Sequence, residues 1–152
     1  MRVSAKADYA VRAAVELAGS ADGPVKGTVL AKTQRIPLRF LENILGELRH
    51  AGIVQSQRGS EGGYWLARSA DDITVAEIIR AVEGPLASVR GERPEDLDYL
   101  GDAEPLQGVW VALRASIRQV LESVTLADIV SGELPEGVAE LVDDRPEAWE
   151  PH

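Results

Sequence analysis

Apolar positions recur along this chain with two periods, and the change of period marks a change of element. Leu41, Ile44, Leu45 and Leu48 stand at i, i+3, i+4 and i+7, the inward stripe of an amphipathic helix. The spacing predicts a helix from Pro37 to His50, with Pro37 at the first helical position, where its missing N–H costs nothing. At about 100° per residue the opposite face carries Arg39, Asn43, Gly46 and His50, with Glu42 and Arg49 at its edges. Two readings of that face stand: an ordinary solvated surface, or one that reads base edges and touches phosphate. Gly46 costs roughly 1 kcal/mol against alanine in mid-helix, and on the outward face it would let the helix approach another surface closely.

Upstream, Ser4 is placed to cap a helix through about Ala18 that ends at Gly19, with Tyr9, Ala13 and Leu17 as its inner stripe. A Gly/Asp/Pro turn follows, then a short helix from about Lys26 to Thr33. Thr28 near its start is open to two roles, a helix cap or a phosphate contact. Downstream the period falls to two. Ile53 to Arg58 and Tyr64 to Arg68 are strand-like runs around the turn Arg58-Gly59-Ser60-Glu61-Gly62-Gly63. Two helices, a tight turn and a hairpin in this order make a winged helix-turn-helix. In that arrangement the second helix enters the major groove, and a basic wing-tip residue reaches backbone or a narrow minor groove. Arg58 is the basic residue at the tip, flanked by Gln57 and Ser60; the plainer alternative is a solvent-exposed turn arginine.

The second half begins with a capping box, Thr74-Val75-Ala76-Glu77, with Ile73 and Ile78 placed as a hydrophobic staple. That helix should run to Val82 and stop at Gly84-Pro85. Residues 85–104 are acidic and broken by proline and glycine, and read as a loop. From Pro105 a long helix carries Leu106, Trp110, Leu113, Ile117, Val120 and Val124 in a 4-3-4-3-4 seam, the pattern of a helix packed along a partner helix. Thr125-Leu126-Ala127-Asp128 caps a further short helix, and from Glu133 the chain is acidic and proline-punctuated. The expected architecture is mainly α with a small β-hairpin wing: a winged helix-turn-helix over 1–84, an acidic loop over 85–104, a dimerisation helix with a short following helix over 105–132, and a partly loose acidic tail over 133–152.

Charge refines this picture. The net charge of −9 seems wrong for a nucleic-acid binder, but residues 1–68 hold 10 Lys+Arg against 6 Asp+Glu, whereas residues 69–152 hold 6 against 19. The basic surface therefore belongs to the reading half, and the acidic half limits indiscriminate binding. The sequence has no long apolar run of membrane-spanning length and its first helix is amphipathic, which points to a soluble cytoplasmic protein without a secretory signal. No nucleophile elbow or phosphate-binding loop supports catalysis. The glycine-rich turn lacks a following lysine and helix, and Asp71-Asp72 and Asp143-Asp144 are adjacent acids near turns.

Five stretches carry a resemblance: Asp8-Tyr9-Ala10-Val11-Arg12-Ala13, Phe40-Leu41-Glu42-Asn43-Ile44-Leu45, Ala51-Gly52-Ile53-Val54, Arg58-Gly59-Ser60-Glu61-Gly62-Gly63-Tyr64 and Ala81-Val82-Glu83-Gly84-Pro85. In this order they resemble the bacterial winged-helix regulator family of IscR, NsrR and CymR, closely over residues 1–86 and more weakly through Trp110 to Asp128. The resemblance implies a homodimeric transcription factor on double-stranded DNA. By position, Pro37, Arg39, Phe40, Glu42 and Asn43 match the family's base-facing stretch, and Arg58, with Gly59 and Ser60 beside it, its wing arginine. Crossed long helices join the dimer, which agrees with the seam. Glu42 has two roles open: accepting from a cytosine amino group, or repelling phosphates on a wrong operator.

The chain departs from the family's iron–sulfur sensors, which place three cysteines in the loop corresponding to about residues 86–108. It contains no cysteine, and its two histidines are His50 and His152. A thiolate-held cluster, a thiol switch and a Cys/His zinc site are excluded. The loop acids Glu95, Asp96, Asp98, Asp102 and Glu104 suit a solvated loop better than a calcium or magnesium site, because their spacing follows no calcium loop. No cofactor is expected. The reading is a sequence-specific DNA-binding regulator, most simply a repressor, on a palindromic operator. Its control is open between a small-molecule effector near Trp110 and Tyr99 and a protein partner on the acidic half; the alternative from another class is a winged-helix interaction module without DNA binding.

Overall fold

The computed structural model describes residues 2–20 and 22–151; Met1, Ala21 and His152, the second histidine, lie outside the described residues. Helix α1 spans Ala5–Gly19, α2 Gly27–Gln34 and α3 Leu38–His50; strands β1 (Val54–Gln57) and β2 (Gly63–Leu66) form the hairpin; α4 spans Val75–Glu83, α5 Leu106–Leu121, α6 Leu126–Ser131 and α7 Glu136–Asp143. The fold is mostly helical with one two-stranded antiparallel hairpin, the architecture of a winged helix-turn-helix.

At the centre lies α1, which touches α2, α3, α4, α6 and β2. Ser4 caps it, its hydroxyl accepting from the Ala7 N–H. The buried face consists of Ala7, Ala10, Ala13, Ala14 and Leu17. Tyr9 is not on the inner stripe as the spacing suggested; it stands half-buried at the edge, because alanines let the neighbouring helices fill the centre. Against them pack the stripe of α3, Leu41, Ile44, Leu45 and Leu48, all 1% exposed or less, with Leu30, Ile73, Ile78 and Leu126. Each such side chain stabilises the fold by about 1.5–3 kcal/mol.

Both capping boxes form. Thr74 and Glu77 close the first turn of α4, and Thr125 and Asp128 that of α6. The two caps lie side by side, since Val75 N–H donates to the Val124 carbonyl and Leu126 N–H to that of Ile73, both at 3.0 Å. Hence α6, the short helix expected after the long one, returns to the winged core with Leu126 fully buried. Residues 85–104 form a loop that includes two 3₁₀ turns, Pro94–Asp96 and Gly101–Ala103. In the tail, the expected loose chain carries α7, with no residue of it buried.

The hairpin contains more than two strands of pairing. Val25 forms a bridge to Tyr64, with N–H···O distances of 2.9 and 2.8 Å in the two directions, so the segment before α2 extends the wing by one residue. Gly63 allows this contact: its φ is +151°, and a Cβ there would sit 2.6 Å from the Val25 carbonyl oxygen. A Cβ on Gly46 meets nothing within 4 Å. Gly63→Ala should therefore cost more than about 1 kcal/mol in urea unfolding, whereas Gly46→Ala should raise stability by roughly 1 kcal/mol.

The junction of α4 and α5 is polar. Glu122 accepts from Arg80 of α4 and, at 2.9 Å, from Arg118 Nε. Those two guanidinium bonds, Arg80's first, hold its carboxyl below the ordinary glutamate value of 4.5. A depressed acid contributes stability above its unfolded value, and loses it as pH falls through the lower folded one. Unfolding midpoints should accordingly decline on acidification below that value, and Glu122→Gln should flatten this limb while lowering stability at neutral pH.

Candidate nucleic-acid interface

The turn between α2 and α3 sets the course of α3. Arg35 ends α2 in the left-handed region at φ 52°, Ile36 drives into the core at 4% exposure with its N–H on the Ala31 carbonyl, and Pro37 leads out extended at ψ 125°. Pro37 is the N-cap of α3, one position before the first helical residue expected for it; its carbonyl already accepts from Leu41 N–H at 3.0 Å, but its ψ is extended. Neither α2 nor α3 has a side-chain cap or an acid in its first turn, so their leading N–H groups and the positive ends of their dipoles face outward unneutralised.

Arg39, Phe40, Glu42 and Asn43 are exposed on the first turns of α3, with His50 and Arg49 at the far end. Among the described residues, the side chains of Arg39, Glu42 and Asn43 form no hydrogen bond or ion pair within the chain. Phe40 is different. It is 42% exposed and rests edge-on against Tyr9, the ring centroids 5.7 Å apart at 89°. Thr28 is exposed at the second residue of α2 and caps nothing, since the N-cap is Lys26. Lys26, Lys32 and Arg35 are exposed on the same helix and its turn.

At the wing tip Arg58, Gly59 and Ser60 are all exposed. Gly59 adopts φ +105°, and Gly62 N–H closes the turn on its carbonyl at 3.1 Å. Gly62 is buried under the tip, where a Cβ would fall 2.1 Å from the Gln57 carbonyl oxygen. Arg49 at the end of α3 donates to the Ser56 hydroxyl of β1 at 3.0 Å and so ties wing to helix. Sequence reasoning missed this tether, the Val25 bridge and the contacts of Tyr9. In the sequence Arg49 stands only at an edge of the outward face of α3, and a single bridging residue has no periodicity to show.

The seam residues Leu106, Trp110, Leu113, Ile117 and Val120 are half-buried on α5, and no residue of that helix is buried. Several of them face Val3, Ala7, Ile79, Pro85 and Leu86 across a cleft of about 840 Å³ between α5 and the winged half. Val124 departs from the seam. The helix ends at Leu121, and Val124 is buried at 7% exposure in its own chain, because the extended N-cap at Thr125 turns the backbone inward. Trp110 Nε1 donates to the Tyr99 hydroxyl at 2.9 Å, Gln107 Nε2 to the carbonyls of Glu95 and Leu97, and Arg114 to Glu95, so the acidic loop is strapped to the start of α5.

With this geometry in place, the similarities to known proteins are informative. The model of the Rrf2 family, described as an iron-dependent transcriptional regulator, matches residues 3–132. The HTH-type transcriptional regulator Rv1287 of Mycobacterium tuberculosis is 54% identical over 145 residues, covering 95% of this chain and 90% of that protein. Among solved structures, CymR, the global cysteine regulator of B. subtilis, is 35% identical with a TM-score of 0.73 over 86% of this chain and 97% of that one; IscR of T. potens is 35% identical with a TM-score of 0.69 over 100% and 93%. An iron–sulfur cluster does not fit the residues present: the chain has no cysteine thiolates, and among the described residues no three His, Cys, Asp or Glu gather to hold a metal ion. Among the described residues no helix is long and apolar enough to cross a membrane. The chain belongs to the Rrf2 family of transcriptional regulators.

Proposed function

We propose that this protein is a homodimeric, sequence-specific DNA-binding repressor of the cytoplasm that works without an iron–sulfur cluster or a thiol switch. The observation that carries this reading is the set of exposed polar side chains on α3, with no partner in the chain, above a fully buried stripe: a rigid helix offering Arg39, Asn43 and Glu42 to the major groove. Arg58 enters the adjacent minor groove from the wing, and Thr28, Pro37, Gly59 and Ser60 lie along the backbone. Phe40 contributes its exposed edge. A second copy covers the α5 seam of Leu106, Trp110, Leu113, Ile117 and Val120, which supplies two reading helices for a palindromic operator.

Control by a small molecule is favoured over a protein partner by one feature, the cleft beside Trp110, lined mostly by apolar side chains with Arg2, Glu83, Ser88 and Ser116 among them. A winged helix kept only for protein interaction is the weaker reading, because it leaves the basic balance of residues 1–68 without a purpose.

The test is binding of the purified, metal-free protein to its own upstream DNA at two salt concentrations, scored against random DNA of equal length. Selective binding supports the reading, and equal weak binding to both DNAs counts against it. Arg58→Ala should weaken operator binding by about 1–3 kcal/mol; an unchanged affinity and salt slope would remove the wing from the mechanism. Ile117→Asp should convert a dimer to a monomer in sedimentation while leaving the helical circular-dichroism signal intact, since Ile117 is only half-buried in its own chain and no residue of α5 is fully buried there. A wild-type protein that sediments as a monomer at assay concentrations would sink the dimer.

A further inference from the structure

Two side chains of α1 grip the helix-turn-helix from both sides of its turn. Arg12 Nη1 donates to the carbonyl of Gln34, the last residue of α2, at 2.8 Å. The same guanidinium lies 4.8 Å from the ring centroid of Tyr9 and is held by Asp8 through Nε at 3.0 Å. Tyr9 in turn presents its ring to Phe40 in the first turn of α3. A second bond from the Gln34 side chain to Glu16 fastens the same corner of α2. The chain of contacts Asp8, Arg12, Tyr9, Phe40 thus spans the turn that aims the reading helix, and it lies beside that helix, on α1.

We propose that Tyr9 and Arg12 are positioning residues that set the pose of α3, and with it operator selectivity, without themselves touching DNA. This rests on the DNA-reading function proposed above. The buried stripe of α3 fixes how far that helix stands from the core, but apolar contacts against alanine faces are non-directional and resist sliding or rolling weakly. An edge-to-face aromatic contact and a guanidinium–carbonyl bond are directional. Base reading needs side chains held to about 0.5 Å, so loss of the directional contacts should degrade discrimination between sequences before it degrades attraction to phosphate.

The test uses the full chain. A duplex enriched from a random library by the wild-type protein is compared with a shuffled duplex of equal length, at two salt concentrations, alongside melting temperature. Tyr9→Leu and Arg12→Gln should lower affinity for the enriched duplex by about tenfold or more while leaving the shuffled duplex and the salt slope unchanged. Tyr9→Phe should retain wild-type selectivity, because the ring and not the hydroxyl makes the contact. Arg12→Lys keeps the charge but loses the flat guanidinium, so it should lose selectivity too; it carries the test if Tyr9→Leu fails to fold. Equal losses on both duplexes, no loss on either, or a Tyr9→Phe variant as impaired as Tyr9→Leu would overturn the proposal. A wild-type protein that enriches no sequence would instead remove the DNA-reading function beneath it.

Discussion

Four alanines on one face of α1 set the spacing of the rest of the molecule. Ala7, Ala10, Ala13 and Ala14 are each 1% exposed or less, and their lack of any atom beyond Cβ lets neighbouring helices approach the α1 backbone. The volume of the core comes from the other side, from Leu41, Leu45, Ile44, Ile78 and Leu126. Enlarging an alanine in such an interior typically costs about 1–3 kcal/mol, because close-packed neighbours cannot yield independently. Helix α3 and the returning α6 are therefore seated on the same element, and the edge of that element carries the contacts to the turn before α3.

Charge is arranged with the same economy of place. Away from α3 and the wing four arginines are paired: Arg80 and Arg118 with Glu122, Arg114 with Glu95, Arg68 with Glu77. Each pair is solvent-exposed in part and contributes little to stability, so their main effect is to neutralise. On the reading side Arg39 and Arg58 stay outside all such pairs, with Lys26, Lys32 and Arg35 exposed nearby. The acidic excess of the second half then leaves the positive field concentrated where the uncapped ends of α2 and α3 also point.

What could be read in the sequence was what large side chains or local motifs encode. The α3 stripe was legible because Leu and Ile at helical spacing leave little alternative, and both capping boxes because all their parts lie within four residues. The inner face of α1 was misjudged because alanine is nearly neutral on any hydrophobic scale, and Tyr9 outweighed it. Val25 was invisible because one residue that pairs through its backbone has no pattern. The seam was drawn one residue too far: its period continues to Val124, but the cap at Thr125 requires extended backbone and ends the helical path first. Of the candidate interface, residue types and faces were readable, whereas the long-range contacts that aim them, Arg12 to Gln34 and Arg49 to Ser56, depend on packing that no local window contains.

Helix α5 is held mainly by polar contacts at its two ends, and the way it is held would connect assembly to the proposed reading function. Its start is strapped by Trp110 to Tyr99, by Arg114 to Glu95 and by Gln107 to two carbonyls, and its end by Glu122 between Arg80 and Arg118. Between those ends its side chains are at most half-buried, and a cleft separates it from α4 and the start of α1. Exposed polar contacts hold a direction but supply little free energy, whereas covering apolar area supplies about 25 cal/mol per Å². A second copy laid along the seam would therefore dominate the energetics of α5. Because the cleft wall opposite the seam includes Ala7, on the alanine face of α1, whatever fills or vacates that space acts on the helix that also carries Tyr9 and Arg12. Dimerisation and the pose of the reading helix would then be linked equilibria, and the stability of either would depend on protein concentration.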